Sequence, residues 1–88
     1  MTTRTVTHNI DAQRYELMVD RQLVGYAQYF ATDDTVTFIH TEVLPGHEGK
    51  GYGSQLAEGA VAAVRAQHKQ VRSSCSFISR YLQNHSDG

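Results

Sequence analysis

Hydrophobic and polar positions alternate in the first third of the chain. Positions 15, 17 and 19 are hydrophobic within a more polar segment, and a period of two is typical of a half-buried β-strand. Residues 23–30 form a second stretch rich in aromatic and apolar side chains, and the polar residues 20–22 between the two stretches predict a turn. We therefore predict extended structure over residues 6–30, folded as a hairpin.

A third strand is predicted over residues 36–43, which are mostly β-branched or aromatic. The polar stretch 32–35 predicts the turn before it. Pro45 and Gly46 make continued strand pairing unfavourable, so the strand should end before them. Together the three strands predict an antiparallel meander.

The period lengthens after Gly51, where hydrophobic residues recur at helical spacing. They are Leu56, Ala57, Ala60, Ala63 and Val64. Residues 71–75 then predict a strand parallel to the third one, because a helix separates the two. The apolar stripe of Phe77, Ile78, Tyr81 and Leu82 predicts a terminal helix. The fold class is α/β (α+β), a single domain over residues 1–88: an antiparallel meander, a β-α-β unit and a short C-terminal helix.

Composition narrows the range of functions. A chain of 88 residues supports one hydrophobic core, and a net charge of -1 gives no basic field for nucleic acid. Apolar runs are shorter than the roughly 18 residues that a membrane span needs, and the N-terminus has no secretory h-region. The single cysteine, Cys75, favours the reducing cytoplasm. The histidines show no metal-ligand spacing, so we expect no metal.

Three alternating glycines, Gly49, Gly51 and Gly53, lie between the third strand and the helix. Glycine lets the backbone approach a ligand, and the first turn of a helix offers unpaired N–H donors to an anion. The alternative is a flexible loop in which glycine serves only the turn geometry. The segment does not match a Walker A loop or a dinucleotide fingerprint, because the lysine of the first and the third glycine of the second are missing.

The turn Glu48-Gly49-Lys50-Gly51-Tyr52-Gly53 resembles motif A of the GNAT acetyltransferases. With the strand His40-Thr41-Glu42-Val43 and the tail Cys75-Ser76-Phe77-Ile78, Tyr81 and His85, the chain resembles the small stand-alone GNAT-like subfamily. The resemblance implies a minimal GNAT-like fold and acetyl-CoA or CoA as the cofactor. Glu48, Ser76 and Ser86 depart from the family pattern, and a carboxylate at position 48 should repel pyrophosphate.

The resemblance also implies which residues bind the cofactor. The strand backbone would pair with the pantetheine arm, and the turn would hold the pyrophosphate. The residues concerned are Thr41, Val43, Glu48, Gly49, Lys50, Gly51, Tyr52, Gly53 and Ser54.

Four side chains are candidates for catalysis. Glu42 is a candidate general base or a solvated strand-end carboxylate. His40, expected to share a face with Val36, Phe38 and Glu42, is a reserve base or a satisfied histidine. Cys75 is expected at the end of the last strand, either as a transient acetyl acceptor or as a buried hydrophobe. Tyr81 would protonate the departing thiolate, as the resemblance implies, or pack in the core.

Three functions remain open at this point. The first is an N-acetyltransferase that acts on an unidentified small-molecule or protein amine. The second is a non-catalytic acyl-CoA-binding module, since the chain lacks the helices that form the acceptor wall of larger GNAT enzymes. The third is a small interaction domain whose sheet edge pairs either with a partner or with a second copy of the chain as a homodimer.

Overall fold

A computed structural model describes residues 3–84 of the chain. Its elements follow the order β1 (Arg4–Asn9), β2 (Arg14–Val19), β3 (Gln22–Ala31), β4 (Thr35–Val43), α1 (Tyr52–Ala66), β5 (Gln70–Ser73) and α2 (Ser76–Asn84). The strands form one sheet in the order β1-β2-β3-β4-β5. The first four strands are antiparallel, and β5 pairs in parallel with β4. The predicted meander, β-α-β unit and terminal helix are therefore confirmed.

The core lies between α1 and one face of the sheet. Inward residues of the strands alternate with exposed ones, as in the half-buried pattern of β2. The small side chains of α1 let the helix lie close to the strands. The fully buried large side chains are Phe38, Leu17, Leu56, Ile78, Val24, Val61 and Val64. Ile78 ties α2 to this core.

The structure adds an edge strand that the sequence pattern did not separate. Strand β1 pairs along its whole length with β2. Its residues are mostly exposed threonines and other polar groups, with Val6 as the apolar residue packed on the core. An edge strand buries little of either face, so its hydrophobic alternation is weak.

A β-bulge interrupts β4 and changes which residues face the core. Gln28 pairs with His40 while Tyr29 pairs with Phe38, so Ile39 is the extra residue. Before the bulge, Val36 and Phe38 are buried. The expectation that His40 shares their face is wrong, because the inserted residue moves His40 to the outer face of the sheet.

Strands β4 and β5 separate soon after they pair. Their register ends at Phe38 and Ser73, and the N–H of Ser74 makes one further bond to the Phe38 carbonyl at 3.0 Å. Strand β4 continues to Val43 beside β3. Within residues 3–84, no strand therefore pairs with the second edge of β4 beyond Phe38, and the sheet opens there into a gap.

Candidate functional site

The glycine turn between β4 and α1 requires left-handed backbone at three positions. Gly46, Gly49 and Gly51 have φ values of 89°, 80° and 76°, and other residues adopt this region at a cost. Gly51 is the N-cap of α1 and makes no side-chain capping bond. The glycines thus bend the chain before α1, and no side chain caps the first N–H groups of the helix.

The backbone donors at the helix end of this turn have no partner among the described residues. Within residues 3–84, no N–H from Gly49 to Ser54 donates a hydrogen bond, and the first helical bond runs from the Gln55 N–H to the Gly51 carbonyl at 3.2 Å. Free N–H groups and the positive end of the helix dipole together favour an anion.

A cleft of about 380 Å³ lies over these donors. Its walls are the turn, Val43 from the end of β4 and the ring of Phe77 from α2. A Cβ at Gly53 would overlap the tip of the Phe77 ring, which would have to move away from the helix. The sequence interpretation assigned all three alternating glycines to the phosphate. At Gly53, glycine also leaves room for the Phe77 ring.

The Glu48 carboxylate is engaged within the turn. Both of its oxygens accept from the Gly46 N–H, at 3.1 and 3.2 Å. This contact holds the turn closed, and Lys50 lies exposed beside it. The departure at position 48 therefore has a structural role in this chain.

Cys75 lies across the gap from β4, in the short segment between β5 and α2. The sequence placed it at the end of the strand, but β5 ends at Ser73. Burial raises the pKa of the Cys75 thiol, but donors from the Thr41 hydroxyl and from the backbone of Ile78, Phe77 and Thr41 outweigh burial and lower it. The thiolate is accordingly favoured.

The Thr41 hydroxyl is the side-chain donor that acts on this sulfur. Its oxygen is fully buried and has no hydrogen-bond partner within residues 3–84, and the same hydroxyl lowers the pKa of Cys75. The hydroxyl is thus a donor that the ionised sulfur can accept. An unpaired buried hydroxyl is costly, so a thiolate partner would stabilise it.

Ser73 holds the Cys75 backbone in place. Its hydroxyl donates to the Cys75 carbonyl at 2.7 Å and accepts from the Cys75 N–H at 3.1 Å. The Ser79 hydroxyl lies 3.0 Å from the same oxygen. Sequence reasoning missed both serines and the Thr41 hydroxyl. The serine-rich run before α2 carried the only available signal, since serine often bonds local backbone at a helix start.

His40 and Glu42 meet on the outer face of β4. His40 Nε2 lies 3.2 Å from Glu42 Oε1, and both side chains are about half exposed. Tyr26, opposite Glu42 on β3, donates its hydroxyl to the same carboxylate at 3.5 Å. Thr41 and Cys75 lie on the inner side of the gap. The structure thus forms two pairs on opposite sides of β4: His40 with Glu42 on the outer side, and Thr41 with Cys75 on the inner side.

Tyr81 lies in the second half of α2. It lines a second cavity, of about 280 Å³, along α2, and is half-buried against the core. It does not line the cleft over the glycine turn. His85 and Ser86, which belonged to the tail resemblance, lie outside the described residues.

Two negative findings concern the described part of the chain. Among residues 3–84, no group of three or more histidine, cysteine or acidic side chains is placed to hold a metal ion. No helix in that range is long and apolar enough to cross a membrane.

Comparisons with known proteins identify the fold and the family. The solution structure of a GCN5-like protein from Staphylococcus aureus superposes with a TM-score of 0.65, at 20% identity, over 91% of this chain and 78% of the other. That likeness establishes the fold. No curated protein sequence matches. The family model described as GCN5-related N-acetyltransferase matches residues 14–87. The chain therefore belongs to the GCN5-related N-acetyltransferase family and is an acetyltransferase.

Proposed function

We propose that the chain transfers an acetyl group from acetyl-CoA to the amine of a small-molecule or protein acceptor. The observation that carries this proposal is the run of free N–H groups from Gly49 to Ser54 at the start of α1. These donors fit a pyrophosphate, because they converge on an anion without needing a charged side chain. The unpaired thiol of Cys75 suits a reducing compartment, so we place the reaction in the cytoplasm.

The unpaired edge of β4 suits the pantetheine arm. The Leu44 N–H donates to Val24 in β3 at 2.9 Å. Since successive residues of a strand point their backbone groups to opposite sides, Val43 and Thr41 direct theirs to the open edge. An amide-bearing chain laid along this edge would pair with Val43 and with the Thr41 carbonyl as an added strand does, because the Thr41 N–H faces the Cys75 sulfur. Its far end would then lie near Cys75.

When bound, acetyl-CoA supplies an activated thioester carbonyl. Glu42 would accept a proton from the acceptor ammonium, directly or through water, and His40 would hold that carboxylate in place. The gap between β4 and β5 would connect the two faces of the sheet. Glu42 would then accept the proton on the outer face, and Cys75 would face the thioester on the inner face. Two routes are open: direct attack by the amine, or transfer first to the Cys75 thiolate and then to the amine.

Turnover with a panel of amines tests the proposal. We expect acetylation by the unaltered chain, and a fall in kcat of roughly 100-fold in Glu42→Gln, since general bases contribute at least this much. Glu58→Gln, which changes an exposed carboxylate on α1, is the matched control. Wild-type turnover in Glu42→Gln would remove Glu42 from the mechanism. Binding of acetyl-CoA without turnover on any amine would favour the binding-module alternative.

Mass spectrometry separates the two routes. The protein is incubated with acetyl-CoA in the absence of amine, and peptides that contain Cys75 are analysed. One added acetyl group on Cys75, absent in Cys75→Ala, supports the covalent route. Unmodified Cys75 in a protein that turns over supports direct attack. The role of Tyr81 as proton donor stays a prediction, and a lower kcat in Tyr81→Phe would support it.

A further inference from the structure

The outer face of the sheet carries apolar side chains that no helix covers within residues 3–84. Phe30 is 60% and Ile39 46% exposed, and the bulge in β4 turns Ile39 outward close to Phe30. Exposed apolar side chains occur on many monomers, so this pair alone does not identify a partner. The charged side chains around it do.

The strand pairing arranges the outer side chains in four rows that run across the strands. In order along the strands, these are the Met18 row (Met18 and Leu23), the acidic row (Glu16, Tyr26 and Glu42), the basic row (Arg14, Gln28 and His40) and the Phe30 row (Phe30, Thr37 and the bulge residue Ile39). The two end rows are largely apolar, and the two central rows carry opposite charge.

This order of rows is complementary to itself when two copies face each other. A twofold axis across the strands, between the acidic and basic rows, sets Glu16 against Arg14 of the second copy. It also sets Glu42 against His40 of the second copy. Arg14 donates to Glu16 of its own chain through Nε alone, at 2.7 Å, and within residues 3–84 its two terminal nitrogens make no hydrogen bond. These donors are available to the second copy.

The same axis brings the two apolar rows together. Leu23, half-buried in the single chain, would lie against Phe30 of the second copy, beside Ile39. Strands of these lengths, about 4.8 Å apart, give the face roughly 500 to 600 Å² per chain. Both copies together would bury roughly 1,100 Å², which is at the low end for specific complexes. The dimer should therefore be weak and depend on protein concentration.

The charges disfavour the other way of stacking the two faces. A twofold axis along the strands would exchange β2 and β4 and set Glu16 against Glu42 of the second copy. Like charges placed opposite each other across an interface cost binding free energy. The pattern therefore selects the axis across the strands.

We propose that two copies of this chain associate through the outer faces of their sheets, about the axis between the acidic and basic rows. The interface is the face of the sheet and not its edge. The association does not depend on the proposed function, but one consequence does. The second copy covers Glu42, so the dimer would exclude the acceptor amine and the monomer would be the active form.

Sedimentation equilibrium over a range of protein concentrations tests the proposal. The wild type should pass from monomer to dimer as its concentration rises. Arg14→Glu and Glu16→Arg should each raise the dimer dissociation constant by about tenfold or more, because each sets like charges opposite each other. An equal mixture of the two variants should dimerise again, since each meets the opposite charge in the other. Glu58→Arg, an exposed charge reversal on α1, is the matched control and should dimerise like the wild type.

Phe30→Ser tests the apolar contact without altering any charge. It replaces an exposed side chain, so the fold should be retained, and it should weaken the dimer as well. Circular dichroism of each variant checks the fold.

The outcomes separate the dimer from the proposed function. A wild type that stays monomeric at its highest soluble concentration would overturn the proposal. So would a dimer that persists in Arg14→Glu and Glu16→Arg, or a mixture of the two that stays monomeric. Acetylation per chain should fall as the wild type dimerises, and a constant value would overturn the exclusion of the acceptor and leave the dimer standing. A chain that acetylates no amine would overturn the function, while sedimentation still decides the dimer.

Discussion

At the scale of the residue, the Thr41 hydroxyl and the Cys75 thiol form a pair on the inner side of the gap between β4 and β5. Hydrogen-bond donors lower the pKa of Cys75 despite its burial, so more of the sulfur is thiolate at neutral pH than in a free cysteine. The Thr41 side chain is the only side-chain donor in that set. Its removal should therefore weaken the thiolate without disturbing the backbone.

Thr41→Val should raise the pKa of Cys75 and slow its alkylation at neutral pH, because the thiolate loses a donor while the shape of the side chain is kept. The rate of iodoacetamide reaction against pH gives the midpoint directly. Thr41→Ser keeps the hydroxyl and should leave the midpoint near that of the wild type. A Thr41→Val midpoint equal to the wild-type value would show that the backbone donors alone set the pKa.

At the scale of the element, β1 contacts α1 where Val6 faces Gly59. A Cβ on Gly59 would lie 2.5 Å from Cγ2 of Val6 and 2.9 Å from its Cβ. Val6 is β-branched and cannot move its Cβ without moving the strand. Gly59 therefore permits the edge strand to approach the helix, at the cost of weaker helix propensity.

Gly59→Ala should destabilise the chain by about 1 kcal/mol, since the overlap with Val6 exceeds the propensity gain of alanine. In the Val6→Ala background, which removes the methyl group at 2.5 Å but keeps the Cβ at 2.9 Å, Gly59→Ala should destabilise the chain less than in the wild type. Chemical denaturation of the four proteins measures this cycle. A stabilising Gly59→Ala in both backgrounds would contradict the packing argument.

The elements also show how far the sequence could predict this molecule. Periodicity was sufficient to predict β2, β3, β4 and α1, each of which buries residues at the spacing of a strand or a helix. It failed for β1, which buries little, and for the side on which His40 lies. A bulge at Ile39 depends on the register with β3, and no local pattern encodes it. For the same reason the approach of Thr41 to Cys75 could not be predicted. The turn at Gly49 and Gly51 could be predicted, because their left-handed backbone follows from local glycine chemistry.

At the scale of the whole molecule, both helices pack against one side of the sheet, and the other side stays open. Within residues 3–84, no helix covers that outer face, where Phe30 is 60% and Ile39 46% exposed. His40 and Glu42 lie on the same face. Under the proposed function, an acceptor amine would reach Glu42 from this open side. The homodimer expected from the sequence stays a prediction, which light scattering of the purified chain tests.

The central claim is that the glycine turn binds acetyl-CoA through its free N–H groups, and thermal unfolding with and without acetyl-CoA tests it most directly. At about 100 times the dissociation constant, binding should stabilise the wild type by roughly 2.7 kcal/mol and raise its Tm by several degrees. Gly51→Glu places a carboxylate in the cleft and should abolish the shift.

Gly46→Glu is the matched control. Gly46 has the same left-handed backbone and the same open surroundings as Gly51, but it does not line the cleft. Both variants should lose similar stability without ligand, and only Gly46→Glu should keep the rise in Tm with acetyl-CoA. A wild type that shows no shift, or a Gly51→Glu variant that keeps it, would contradict the account.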